Sequence, residues 1–302
     1  MSENTLSRRQ FLKSTAVAAG ASMFTFCKPQ VIKETAADQV ALGQTGLRIS
    51  RLGIGTGTHG GRVQRDLGQE GFNRLIRYAY DQGITYIDTA DAYKTHTWIR
   101  EAIKGLPRER LFILTKMSGR TEDPQKELDR FRQELDTDYI DCLLIHCMTR
   151  GDWDESRIRM MDAFAEAKQK GIIKSHGVSC HSIPALSKAA QIDWVDVNLV
   201  RINPQGVKID TEKETVYDET TADNVPPVVE QMGIMREKGH GILGMKIIGE
   251  GDLIEAAERE KSIRFAMQPG LVDSMTIGFK STAEIDEAVQ NINIALAEKN
   301  RI

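Results

Sequence analysis

Three short apolar runs each end by handing over ionisable side chains. Ile87-Asp88-Thr89-Ala90-Asp91-Ala92-Tyr93 closes the first, Leu114-Thr115-Lys116 the second and Leu144-Ile145-His146 the third. If the runs are neighbouring strands, Asp88, Tyr93, Lys116 and His146 converge on one end of the sheet. Those four can polarise and protonate a carbonyl. A free phenol, with a pKa of about 10, is a slow acid at neutral pH. An ammonium from Lys116 beside it favours the phenolate and lowers that value, and Asp88 keeps Lys116 charged and in place. His146 can hydrogen-bond the carbonyl oxygen and set its angle to Tyr93. None of the four holds a hydride, so a reduction needs one from a cofactor. The same residues leave a second chemistry open, because a lysine at a barrel mouth can form a Schiff base with a carbonyl, as a lyase does. Asp88 and Tyr93 beside Lys116 argue for an ion pair instead.

The elements that position these residues alternate. Eight apolar, partly β-branched runs lie near 51–55, 84–88, 111–115, 139–145, 173–178, 194–200, 241–245 and 274–278. Helical stripes fall between them, with apolar residues at i, i+3, i+4 and i+7: Phe72, Leu75, Ile76 and Ala79; Met160, Ala163, Phe164 and Ala167; Ile285, Ala288, Val289 and Ile292. Val228, Met232 and Met235 fit the same pattern. Regular alternation means a parallel sheet covered by helices. Eight units in about 240 residues suit a closed (β/α)8 TIM barrel, whose catalytic groups gather at the C-terminal ends of the strands. An open doubly wound sheet is the rival, but eight units suit closure better. Gly43-Gln44-Thr45-Gly46, set between short apolar runs, predicts a β-hairpin ahead of the barrel. The one long connection, 201–222, is polar and charged, and reads either as a substrate lid at the mouth or as a mobile solvated loop.

At 302 residues, 40% hydrophobic and 27% charged, the composition is globular and excludes a disordered or disulfide-stapled chain. A net charge of −3 shows no basic excess to suggest nucleic acid as the partner. Charge is uneven, though, with residues 1–37 at +3 and the rest at −6. Ser7-Arg8-Arg9-Gln10-Phe11-Leu12-Lys13 precedes an uncharged run from Ser14 to Phe26. As a helix at 1.5 Å per residue that run reaches only about 20 Å, too short for a stable membrane span. The seven positions from Ser7 resemble a twin-arginine (Tat) export signal. The resemblance implies passage through the Tat machinery, which carries folded proteins, and a periplasmic destination. Thr35-Ala36-Ala37 offers small residues for a signal peptidase, which predicts a signal over 1–37 and a single domain over 38–302. Cys27 is a poor lipidation site because Phe24 and Phe26 precede it.

Asp88-Thr89-Ala90, Tyr93 five residues after Asp88, Lys116 and the Asp141-Cys142-Leu143-Leu144-Ile145-His146 strand together resemble the aldo-keto reductase family. The likeness extends to the hairpin Leu42–Leu47, Gly55-Thr56, Gly177-Val178-Ser179 and the stretch 278–287. It implies a barrel that binds NAD(P)H extended across its mouth to reduce a small-molecule aldehyde or ketone, with Asp88, Tyr93, Lys116 and His146 as the catalytic tetrad. It further implies cofactor contacts at Gly55, Thr56, Asp88, Ser179, Met245, Lys246, Gly249, Lys280, Ser281 and Glu287. Cys180 and Leu199 occupy cofactor positions where the family usually has Asn and Gln, and Met245 replaces the aromatic that stacks on the nicotinamide. Lys280 and Ser281 suit the 2′-phosphate of NADPH. Glu284 stands where an Arg is common and opposes that phosphate, which keeps NADH as an alternative. The substitutions at Cys180, Leu199 and Met245 also allow a barrel that holds nucleotide without turnover. Cys147 and Cys180, beside His146 and His181, read as free thiols, with a disulfide or a Cys2His2 metal site as the alternatives; Cys142 reads as a barrel residue. No metal is expected at the site.

Overall fold

The computed structural model describes residues 34–299. The twin-arginine stretch Ser7–Lys13, the uncharged run to Phe26 and Cys27 lie outside that range. The chain opens with an antiparallel hairpin, β1 (Gln39–Ala41) and β2 (Arg48–Ser50). Eight strands follow: β3 (Leu52–Gly55), β4 (Tyr86–Asp88), β5 (Phe112–Ser118), β6 (Ile140–Met148), β7 (Ile173–Cys180), β8 (Val197–Arg201), β9 (Gly241–Met245) and β10 (Ser274–Gly278). They pair in parallel and close, β10 meeting β3, into the (β/α)8 barrel expected from the alternation. Each predicted helical stripe faces the sheet. Phe72, Leu75, Ile76 and Ala79 are buried on the helix Gly68–Asp81, and Ile285, Ala288 and Ile292 on the helix Thr282–Lys299. No described helix is long and apolar enough to cross a membrane.

Side-chain alternation explains how the barrel both fills itself and arms its mouth. Tyr86, Phe112, Leu114, Cys142, Leu144, Val197, Leu199 and Leu243 pack into one interior cluster. Two residues further along, on the same inward parity, come Asp88, Lys116, His146, Arg201 and Met245. Each of these strands is therefore apolar inside the barrel and, Met245 apart, ionisable at its rim. Leu42 and Ile49 of the hairpin join the interior cluster and seal the opposite end. Gly43 makes that seal close: its φ is +49°, and a Cβ there would lie 2.4 Å from the Gly241 nitrogen.

β5 and β6 run beyond their expected ends at residues 115 and 145, because their ladder continues through Lys116↔Leu144 and Ser118↔His146. Lys116 and His146 thus sit within strands, held more firmly than residues in a following loop. Between Ile145 and Met148 the β6–β7 register slips, and Cys147 takes a left-handed φ of +64°. The slip turns the strand just after His146.

Candidate active site

Asp88 and Lys116 form the centre of the site. The Lys116 ammonium, 1% exposed, donates to Asp88 Oδ1 at 2.8 Å, to Oδ2 at 2.9 Å and to the Thr89 carbonyl at 2.8 Å. Its charge lies 5.1 Å from the centre of the Tyr93 ring, and the His146 ring meets Tyr93 edge-on at 5.6 Å. The four residues expected at the strand ends are therefore gathered at one place.

Their protonation departs from expectation in one respect. Lys116 was expected to lower the Tyr93 pKa. Burial first, then the Asp88 carboxylate, instead push the phenol well above its usual value. The reason is geometric: all three Lys116 protons are engaged by Asp88 and Thr89, and its charge faces the ring. Burial draws Lys116 down and Asp88 up, and in each case the partner's charge opposes the shift. His146 is held down to about 3 by burial and then by Lys116, so its imidazole is neutral. At neutral pH the site offers a protonated phenol, a neutral imidazole and a compensated ion pair.

The segment carrying Tyr93 is fixed from several sides. Thr95 Oγ1 lies 2.9 Å from Thr56 Oγ1 and 2.8 Å from Thr89 Oγ1, all three residues being fully buried. His96 bridges Thr115 and Glu134 at 2.8 Å each, anchoring the helix His96–Ile103. Arg65 donates to the Tyr93 carbonyl. Sequence reading missed these supports because threonines and a histidine beside a motif carry no pattern of their own. It also missed Gly57, where a Cβ would stand 2.4 Å from Tyr93 Cε2 and 2.5 Å from Cζ. Gly57→Ala must displace the phenol, so kcat/KM should fall by about 10²-fold while the melting curve stays near that of the parent protein. Wild-type kcat/KM in this variant would mean that the ring is free to move.

A cleft of about 440 Å³ opens at Asp88, Tyr93 and Lys116, and His146 stands outside its lining. Gly55, Asp88, Tyr93, Lys116, Met245 and Lys246 line it, and its other end reaches Lys280, Glu284 and Glu287. Thr276, also in its wall, has a buried hydroxyl without a partner. That orphaned group, the length of the cleft and its lysines fit an extended anionic cofactor. Lys246 is held by Glu250 at 2.6 Å, in a tight turn where Gly249, Glu250 and Gly251 all have positive φ. Glu250 also accepts from the His59 amide at 3.0 Å, on the loop after β3.

The remaining proposed cofactor positions stand away from the cleft wall. Thr56 binds the Asp88 carbonyl at 3.1 Å. The Ser179 hydroxyl accepts from the Cys147 amide at 3.0 Å, and Cys180 is 1% exposed. Leu199 is packed in the barrel interior. Gly249 is buried, and the Ser281 hydroxyl accepts from the Glu284 amide at 3.3 Å. Cys142, Cys147 and Cys180 are free thiols. The 201–222 connection is pinned: Arg201, 4% exposed, donates to Asp210 at 2.6 Å, the Val216 carbonyl at 2.9 Å and the His181 carbonyl at 2.6 Å. Beside it a recess of about 50 Å³, lined by His181, Arg201, Lys208, Tyr217, Lys246 and Glu250, adjoins the main cleft.

A parallel barrel with an ionised cluster buried at its mouth and a long cleft beside it is the architecture of a barrel enzyme. The chain belongs to the aldo/keto reductase family, whose sequence profile matches residues 51–232. A twin-arginine translocation signal profile matches residues 5–25. A methylglyoxal reductase of Salmonella typhi is 31% identical over 137 residues, which are 43% of this chain and 51% of that protein. An aldo-keto reductase of Bacillus subtilis is 29% identical over 164 residues, 48% of each chain. The chain thus spans about half the length of the curated relatives it matches. A solved Pseudomonas aeruginosa chain of the aldo-keto reductase type covers far more, with 25% identity, a TM-score of 0.68, and coverage of 89% of this chain and 99% of its own. The holo form of an aldo-keto reductase from Bacillus halodurans, 18% identical with a TM-score of 0.64, shares the fold.

Proposed function

We propose that this chain is an exported, periplasmic NAD(P)H-dependent reductase of small aldehydes or ketones, with Tyr93 as the general acid. The observation that carries the reading is the buried Asp88–Lys116 pair against the Tyr93 ring at the head of the cleft. Met245, Lys246, Lys280 and Glu287, which line that cleft, would hold the cofactor, and a bound nicotinamide would supply the hydride. Tyr93 holds its proton at Oη and passes it to the carbonyl oxygen. His146, neutral, orients that oxygen by hydrogen bonding. Asp88 fixes Lys116, whose ammonium, 5.1 Å from the Tyr93 ring centre, is the member of the pair that attracts charge building on the phenol once its proton leaves. In the reverse direction the same groups take the proton back.

Lys280 suits the 2′-phosphate of NADPH. Glu284 opposes it, since its carboxylate already accepts from the Lys280 amide at 2.7 Å. The methylglyoxal reductases among the relatives make short 2-oxoaldehydes the first substrates to try. The lyase reading loses ground because Lys116 donates every proton it has and is 1% exposed. Nucleotide holding without turnover keeps one point in its favour, the withdrawal of Ser179, Cys180 and Leu199 from the cleft wall. Titration with NADPH and NADH, followed by an aldehyde panel, separates the readings. Binding with loss of the reduced-nicotinamide absorbance supports the reductase. Binding with no turnover on any carbonyl supports the holder.

A further inference from the structure

Thr35-Ala36-Ala37, the small-residue stretch that reads as a peptidase site, is part of the folded barrel. Ala36 is 0% exposed and belongs to the main hydrophobic core. Its amide donates to Asn293 Oδ1 at 2.9 Å, on the helix Thr282–Lys299, and its carbonyl accepts from the Leu52 amide at 3.0 Å, at the start of β3. This short segment therefore ties the first barrel strand to the last helix. Glu34 pairs with Arg51 at 2.6 Å. Asp38 closes the turn, its carboxylate accepting from the Thr35 amide and hydroxyl at 2.9 Å each. Its carbonyl accepts from the Arg51 amide at 3.1 Å. Ala37 packs against Gly83, where an added Cβ would come within 3.0 Å of the Ala37 Cβ.

Proteolysis needs the scissile stretch open and extended, so cleavage of a sequestered segment follows local unfolding. Opening this one means exposing Ala36 and breaking its two backbone bonds, the Glu34–Arg51 pair and the Asp38 turn together. We propose that Glu34–Ala37 is a retained strap of the exported protein. The Ala37–Asp38 bond stays intact, and any hydrolysis during export, in which water adds across a peptide bond to leave a new carboxylate and a new amine, falls N-terminal to Glu34. The inference rests on the export signal and the packing of the barrel, not on the reductase reading, and either can fail without the other.

Intact mass and N-terminal sequencing of the full chain recovered from an exporting cell test it. The expected protein begins at or before Glu34, and one that begins at Asp38 overturns the proposal. A second measurement holds whether or not the chain is exported. The melting temperature of a chain beginning at Glu34 should exceed that of one beginning at Asp38 by about 4 °C or more. Equal melting temperatures would show that the segment holds nothing together and would overturn the strap.

Discussion

Tyr93→Phe should lower kcat/KM for carbonyl reduction by about 10²–10⁴-fold, the range general acids contribute, with cofactor affinity unchanged. The substitution removes one oxygen and leaves the ring, which fills the space beside Gly57, His146 and Lys116. Folding should therefore be intact. The high pKa imposed on this phenol by burial and Asp88 keeps its proton in place through neutral pH. Reduction by the parent protein should accordingly stay level across that range and decline only on the alkaline side, where Tyr93 loses its proton. His146, held at about 3, contributes no titration near neutrality. Steady-state rates and cofactor titrations of the variant check the point. Unaltered turnover with cofactor bound would show that another group delivers the proton.

Lys116→Met should be as damaging to activity and far more so to the fold. It leaves the Asp88 carboxylate, 4% exposed, facing a thioether within the barrel. Removing one member of a buried ion pair costs about 3–5 kcal/mol, because the surviving charge has lost its solvent and its partner. Asp88→Asn should cost less, since the amide oxygen still accepts one Lys116 proton and the Thr89 carbonyl another. The double variant should be more stable than Lys116→Met alone, because no charge is then stranded. Denaturant unfolding of the parent protein and the three variants measures this cycle. Additive losses would mean that Lys116 and Asp88 act independently, against the geometry.

The architecture was legible in the sequence because two periodicities alternate along it. Runs that are apolar on both faces became β3 to β10, and the 3.6-residue stripe of Phe72, Leu75, Ile76 and Ala79 became a buried helix face. Asp88, Tyr93, Lys116 and His146 were legible because each follows an apolar run on the inward parity. Thr56, Ser179, Cys180 and Leu199 were less so. Position along a strand gives the face a side chain takes, but not whether the rim above it stays accessible: Thr56 is taken up by the Asp88 carbonyl and Ser179 by the Cys147 amide, and Cys180 and Leu199 are buried. The Tyr93 acidity failed for a similar reason. Lys116 could be placed near the phenol, yet the division of its three protons between Asp88 and Thr89 depends on distances that no spacing encodes. The strap at Glu34–Ala37 escaped notice because small residues suit a peptidase and a tight core contact equally well, and only Asn293 and Leu52, far along the chain, decide between them.

The central claim is that hydride passes from a nicotinamide to a carbonyl carbon at this mouth. The most direct test supplies the purified protein with NADPH or NADH carrying deuterium at nicotinamide carbon 4, in the transferable position, together with a short aldehyde. The product is read by mass spectrometry and NMR. One deuterium on the former carbonyl carbon, formed by the parent protein and lost with Tyr93→Phe, is the predicted result. An alcohol without deuterium, or no alcohol from a protein that binds the cofactor, would contradict it.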